Sequence, residues 1–112
     1  MEYKNQGKSA LGMEANIAAL LSYLLGFISG IIFYALEKEN KFVRFHAMQS
    51  MVVFAFLFIL NIVARVLPIL GGAISTLLGI IGIVVWIILI IKAYQGEYFK
   101  LPVAGDIAEK NS

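Results

Sequence analysis

Three stretches without a charged side chain, Ala15–Leu36, Ala47–Ala64 and Val66–Ile91, occupy 22, 18 and 26 of the chain's 112 residues. Charged side chains are confined to the short joints and the two ends, with Arg65 alone dividing the second stretch from the third. Crossing a hydrocarbon core takes about 20 apolar residues at a 1.5 Å rise. The pattern predicts three membrane-crossing helices with little left over.

The composition closes off the other fold classes. Hydrophobic residues make up 61% and charged residues 14%, against about a quarter charged in a soluble domain. A water-soluble globule of this length has too small an interior to hide three such runs. Nine Lys and Arg against seven acids leave a net +2 with no clustered basic face, which argues against nucleic acid and for anionic lipid head groups as partner. The absence of cysteine excludes disulfides, thiolate metal sites and thiol catalysis. The first run follows Lys4 and Lys8, yet its 22 residues exceed a signal-peptide core, so it is expected to be retained.

Spans are expected near residues 15–36, 44–64 and 68–91, in a single domain covering 1–112. Pro68 suits the first turn of the third helix, and the short joint makes spans two and three a tight antiparallel hairpin. Lys92, Tyr94, Tyr98, Phe99 and Lys100 mix aromatic and basic residues as a membrane boundary does. Beyond them a tail broken by Pro102 and Gly105 is expected to lie at the interface. With three crossings, Lys4, Lys8 and Arg65 face one side. Lys38, Lys41, Arg44, Lys92, Lys100 and Lys110 face the other. Six against three places the first loop and the C-terminus in the cytoplasm, and the N-terminus outside.

A helical projection gives each span a small or polar side and a bulky aliphatic side. Ala18, Ser22, Gly26 and Gly30 follow at intervals of four on the first span; Gly71, Ser75, Gly79, Gly82 and Trp86 line a stripe on the third. On the second, His46, Ser50, Asn61 and Ala64 share a strip, with Gln49 beside it. Lipid offers no hydrophobic drive between helices, so close approach at small residues and interhelical hydrogen bonds hold them together. The patterns Gly26-x-x-x-Gly30 and Gly71-x-x-x-Ser75-x-x-x-Gly79 are therefore expected to face inward.

The most distinctive string runs from Phe42 through Arg44, His46, Gln49 and Ser50. Read as chemistry, it is a polar portal or a histidine proton relay. Read as structure, Arg44 binds a lipid phosphate or a carboxylate such as Glu37, while His46, Gln49 and Ser50 bond to other helices or the tail. One histidine and no carboxylate inside any span leave a relay without a second station, which favours the structural reading. Asn61 is expected to find an interhelical partner, since an unpaired amide is costly in hydrocarbon. Glu37, Glu39 and His46 lack a metal-ligand spacing. No serine has a base beside it, and the glycines of span three follow no phosphate-loop pattern. No catalytic, cofactor-binding or metal residue is expected.

The segment Glu37 to Ser50, with its Arg44-Phe45-His46-Ala47-Met48-Gln49-Ser50 core, resembles an uncharacterised family of small prokaryotic multi-span membrane proteins. Asn16 to Tyr23, and Gly96 through Leu101-Pro102, Gly105 and Ala108, agree with it. That family is distantly similar to the twenty-kilodalton subunit of the chloroplast inner-envelope import translocon, thought of as having four spans where this chain offers three. The resemblance implies a multi-span α-helical membrane protein without an assigned enzymatic role, and raises a pore or assembly subunit.

The fold expected is thus all-α, an integral membrane three-helix bundle with a short interfacial C-terminal segment. The function expected is a non-enzymatic component that assembles with itself or with a membrane partner protein. A subunit of an oligomeric channel or translocation pore is the alternative.

Overall fold

A computed structural model describes residues 5–112; Lys4, counted in the orientation argument, lies outside them. Among the described residues the chain is all-helical, with five helices: α1 (Ala15–Leu24), α2 (Phe27–Leu36), α3 (Lys41–Val66), α4 (Gly71–Tyr94) and α5 (Ala104–Lys110). Only α3 and α4 are long and apolar enough to cross a bilayer. At 1.5 Å per residue they run about 39 and 36 Å, against about 15 Å for each of α1 and α2.

The continuous helix expected over 15–36 is broken at Leu25–Gly26. Gly26 takes φ 64°, a left-handed conformation that glycine adopts without a Cβ penalty. The broken backbone is satisfied by side chains. Leu25 N–H donates to Ser29 Oγ at 3.0 Å, and Ser29 Oγ donates to Ser22 O at 2.9 Å. Ser50 Oγ donates to Gly26 O at 2.8 Å, and Trp86 Nε1 donates to Tyr23 O at 2.7 Å. A chain break at such a position in an apolar setting requires this substitution of partners.

The chain then turns back. Ala10 N–H donates to a Glu37 carboxylate oxygen at 2.6 Å, and Asn40 Nδ2 donates to Gln6 O and Lys8 O, both at 3.0 Å. The segment before α1 and the loop after α2 therefore touch, and α1–α2 is a helical hairpin. The N-terminal arm, expected on the side opposite the first loop, lies against it from Gln6 onward. Asn16 Nδ2 donates to Tyr94 O at 3.0 Å, while Tyr23 O meets Trp86. Those two contacts lie eight residues apart on α4, so α1 reaches about 12 Å along it.

The tail folds back in the same manner. Residues 97–101 run as irregular chain beside α3, Val103 makes the turn, and α5 returns until Tyr34 Oη donates to Asn111 O at 2.7 Å. α5 is the short helix anticipated in the tail, seated on α3 through buried Ala104, Gly105 and Ala108. The remaining joint also differs from expectation. Pro68 sits in the turn before α4 rather than in its first turn, and the helix starts at Gly71.

Burial follows this layout. Along α3 the buried residues run from Phe42 to Val53, and beyond them only Ala64 is buried. On α4 only Gly71, Leu89 and Ala93 are buried. One half of the molecule is thus a four-helix cluster with the tail against it, centred on Ala15, Ala18, Ala19, Tyr23, Phe42, Val43, Leu89 and Ala93. The other half is α3 and α4 alone, with Phe58, Ile59, Ile62, Leu77, Ile80 and Ile83 each more than half exposed. Aliphatic surface on that scale marks contact with a membrane or with another protein.

Candidate functional site

The Arg44–Ser50 segment lies in the first turns of α3, where Asn40 sets the start. Its side-chain oxygen accepts from Phe42 N and Val43 N at 3.0 and 3.2 Å, satisfying two of the orphan donors of a helix N-terminus. From there Arg44, His46, Gln49 and Ser50 each reach a different piece of chain.

Arg44 caps the end of α2. Its Nη1 donates to Glu37 O at 2.6 Å and to Tyr34 O at 3.3 Å, and its guanidinium lies 4.1 Å from the Tyr34 ring centroid. Cation and helix C-terminus are electrostatically matched. The bond is to the Glu37 backbone rather than to its carboxylate, which instead accepts from Ala10 N, Glu39 N and Asn40 N.

His46 and Gln49 grip the tail. His46 Nε2 is 2.8 Å from Glu97 O, and Nδ1 is 2.6 Å from Tyr23 Oη. A carbonyl only accepts, so Nε2 carries the proton and Nδ1 accepts from the Tyr23 hydroxyl. Gln49 Nε2 donates to Tyr23 Oη at 3.0 Å and to Phe99 O at 2.9 Å, while its Oε1 accepts from Leu101 N at 2.9 Å. The primary amide thereby pairs with the Phe99–Leu101 backbone as a neighbouring strand would. His46 and Gln49 are fully buried. The rings of Phe42 and Phe45 meet the imidazole edge-on at 4.6 and 5.1 Å.

Ser50 joins the clamp to the hairpin tip through Gly26 O. Gly30 explains why the two helices meet there. A Cβ on it would stand 2.8 Å from Ala47 O and 3.0 Å from Ser50 Cβ, so α2 and α3 approach too closely for any side chain.

The far-half residues form a separate group. Asn61 Nδ2 donates to Ser75 O at 3.3 Å, and its Oδ1 accepts from Ser75 Oγ and Arg65 Nε, both at 3.0 Å. Gly71 lies close against the Ala64 carbonyl. Gly79, expected at a helix contact, would meet nothing within 4 Å if it carried a Cβ; the hairpin ends above it, and the groove it faces is open.

Outside the helices, the Lys100 ammonium pairs with Asp106 at 3.0 Å and Glu109 at 3.2 Å. Those hydrogen bonds raise its pKa above the ordinary lysine value. Burial raises that of Tyr98 in the same strap. Among the described residues no group of three or more His, Cys, Asp or Glu could hold a metal ion.

Two participants carry little signal in the sequence. Tyr23 falls on the polar half of the first span with no role assigned to it there, although a phenol deep in an apolar run demands a partner. The backbone of residues 97–101 carries no side-chain signal at all.

The chain matches the model of the magnetosome magnetite crystal formation protein family over residues 7–108. It is 50% identical over 106 residues to a UPF0132 membrane protein of Methanocaldococcus jannaschii, covering 95% of this chain and 96% of that one. A second UPF0132 membrane protein of that organism is 50% identical over 101 residues, 90% of this chain and 72% of its own length. One from Archaeoglobus fulgidus is 48% identical over 98 residues, 88% and 95% of the two chains. No solved structure matches. The aliphatic far half and the membrane-protein relatives agree, and the chain belongs to the magnetosome magnetite crystal formation protein family of membrane proteins.

Proposed function

We propose that the protein is a non-enzymatic, multi-pass component of the cell membrane, with α3 and α4 as its two full crossings and α1–α2 as a re-entrant hairpin. Helices of about 15 Å reach only halfway through a core of about 30 Å. The observation that carries the reading is the contact of residues 6–10 with Glu37 and Asn40, which a third crossing would forbid.

On this topology the charges separate sharply. Among the described residues, Lys8, Lys38, Lys41, Arg44, Lys92, Lys100 and Lys110 stand at one end, and Arg65 is at the other. Seven against one assigns the charged end, with the first loop and the tail, to the cytoplasm. The Arg44–Ser50 segment then acts as a clamp that fixes hairpin and tail to α3. Each of its polar side chains is engaged within the protein, which leaves no free group for a reaction and favours a scaffolding or assembly role. Among the described residues no three acidic or histidine side chains converge, so nothing in their geometry supports a mineral-binding site to match the family's magnetite-related name.

The 112-residue chain has no cysteine, so single replacements in it report topology directly. Lys8→Cys, Lys38→Cys and Lys110→Cys should all react with an impermeant maleimide from the cytoplasmic side of inverted vesicles, and Arg65→Cys from the opposite side. Labelling of Lys8→Cys together with Arg65→Cys, and apart from Lys38→Cys, would restore three crossings.

A further inference from the structure

The two halves of the molecule differ in girth, and that difference has a mechanical meaning in a bilayer. In the charged half, α1, α2, α3 and α4 stand side by side, with residues 97–101 and α5 laid against α3. In the far half only α3 and α4 continue. A helix with its side chains is about 10–12 Å across, so it occupies about 100 Å² of membrane plane. The charged-side leaflet therefore accommodates about 200 Å² more protein than the other, before the tail is counted.

The boundary between the halves is abrupt. Tyr23, Gly26 and Ser50 close the hairpin tip, and Val103 ends the inward run of the tail near Val53 and Phe56. Immediately beyond the tip lies an open groove of about 390 Å³ between α3 and α4, lined by Phe54, Phe58, Asn61, Gly79 and Trp86 among others. The narrowing is held in place by side-chain hydrogen bonds at the tip rather than by loose contact, so it persists as a fixed shape. A rigid inclusion wider in one leaflet than in the other is relieved where that leaflet is stretched, which is the convex side of a bend.

We propose that the protein is a bilayer wedge, one that favours curved membrane with its charged end on the convex leaflet. The proposal rests on the re-entrant topology and adds to it a physical activity toward lipid. The hairpin and the docked tail supply the width, and the Arg44–Ser50 clamp makes it rigid. The polar ends sit above the widened half, where Lys8, Lys38 and Lys41 meet lipid head groups.

The test uses the full chain carrying a dye at Lys38→Cys, an exposed loop position. It is reconstituted sparsely into fluid phosphatidylcholine–phosphatidylglycerol vesicles of mixed diameter. Fluorescence per unit membrane is read vesicle by vesicle, and an impermeant quencher separates molecules with the charged end outward from those with it inward. The wedge predicts that outward molecules are enriched about threefold on the smallest vesicles over the largest, about 0.7 kcal/mol at 1.4 kcal/mol per tenfold, and that inward molecules are depleted there. Equal density for both orientations overturns it. Flat sorting accompanied by Gly79→Cys disulfide dimers also overturns it, since a second copy would then fill the narrow half. Maleimide accessibility of undyed Lys8→Cys and Lys38→Cys in separate vesicles of the same composition keeps a failure of the topology distinguishable from a failure of the wedge.

Discussion

Gln49→Leu removes the hinge pin of the tail while nearly preserving volume. Three hydrogen bonds disappear, to Phe99 O, from Leu101 N and to Tyr23 Oη. A typical intramolecular hydrogen bond contributes about 0.5–1.5 kcal/mol net, and interhelical ones in a membrane protein average about 0.6. The sum is about 2–4 kcal/mol, and most of it falls on one local event, release of residues 97–101 from α3. At 1.4 kcal/mol per tenfold, a 2.8 kcal/mol loss makes that opening about 100-fold more frequent. Amide hydrogen exchange in detergent reads it residue by residue. Leu101 N–H, whose acceptor is Gln49 Oε1, should exchange about 100-fold faster, while amides in the middle of α4 keep their protection. Ser75→Ala, in the far half, should leave Leu101 unchanged. Unaltered exchange at Leu101 in Gln49→Leu would refute the clamp.

Other outcomes follow from the same geometry. Gly30→Leu should lower the melting temperature in detergent by an amount equivalent to about 1–3 kcal/mol of overpacking, because the Ala47 carbonyl and Ser50 leave no room. Gly79→Leu should leave it unchanged, since that position opens onto an empty groove; an equal loss in both would contradict the hairpin's depth. Asn61→Leu should destabilise by about 1–2 kcal/mol, read by the same melt, through the unpaired Ser75 hydroxyl and Arg65. The Lys100 pairs raise the lysine pKa, so their contribution is complete below its ordinary value near 10.5 and fades as pH rises through the folded value. Hydrogen exchange of residues 103–110, corrected for intrinsic rate, should accordingly be flat between pH 6 and 9.

Much of this architecture is written in local pattern. The charge-free runs mark α3 and α4, although α3 starts at Lys41 rather than at 44, behind an Asn40 cap that hydropathy does not reveal. The small and polar side of the first run, with Ser22, Tyr23, Gly26 and Gly30, is the side that meets α3 and α4. What local pattern hides is the break at Gly26. Hydropathy counts residues, and 22 apolar residues describe one full crossing or two half-length helices equally well. The groups that make the turn acceptable in hydrocarbon come from elsewhere: Ser50 lies 24 positions away and Trp86 63 positions from Tyr23. An uninterrupted first span would also run alongside Gly79 and carry the N-terminal arm across the membrane. The six-to-three charge count is weak for that reason, and it sharpens once Lys8 joins the other cations. The clamp is half legible. Arg44, His46, Gln49 and Ser50 announce themselves as polar groups at the start of a span, but their partners are mostly backbone carbonyls and amides, which every sequence has everywhere.

The hairpin itself is most directly tested by one distance. Spin labels at Ala10→Cys and Lys38→Cys, measured by pulsed electron–electron resonance in nanodiscs, bracket the first apolar run. The account predicts a single population at about 20 Å or less, because Ala10 N–H touches the Glu37 carboxylate. A continuous helix through the membrane would put the two sites about 42 Å apart, 28 rises of 1.5 Å, and a distribution centred there would contradict it.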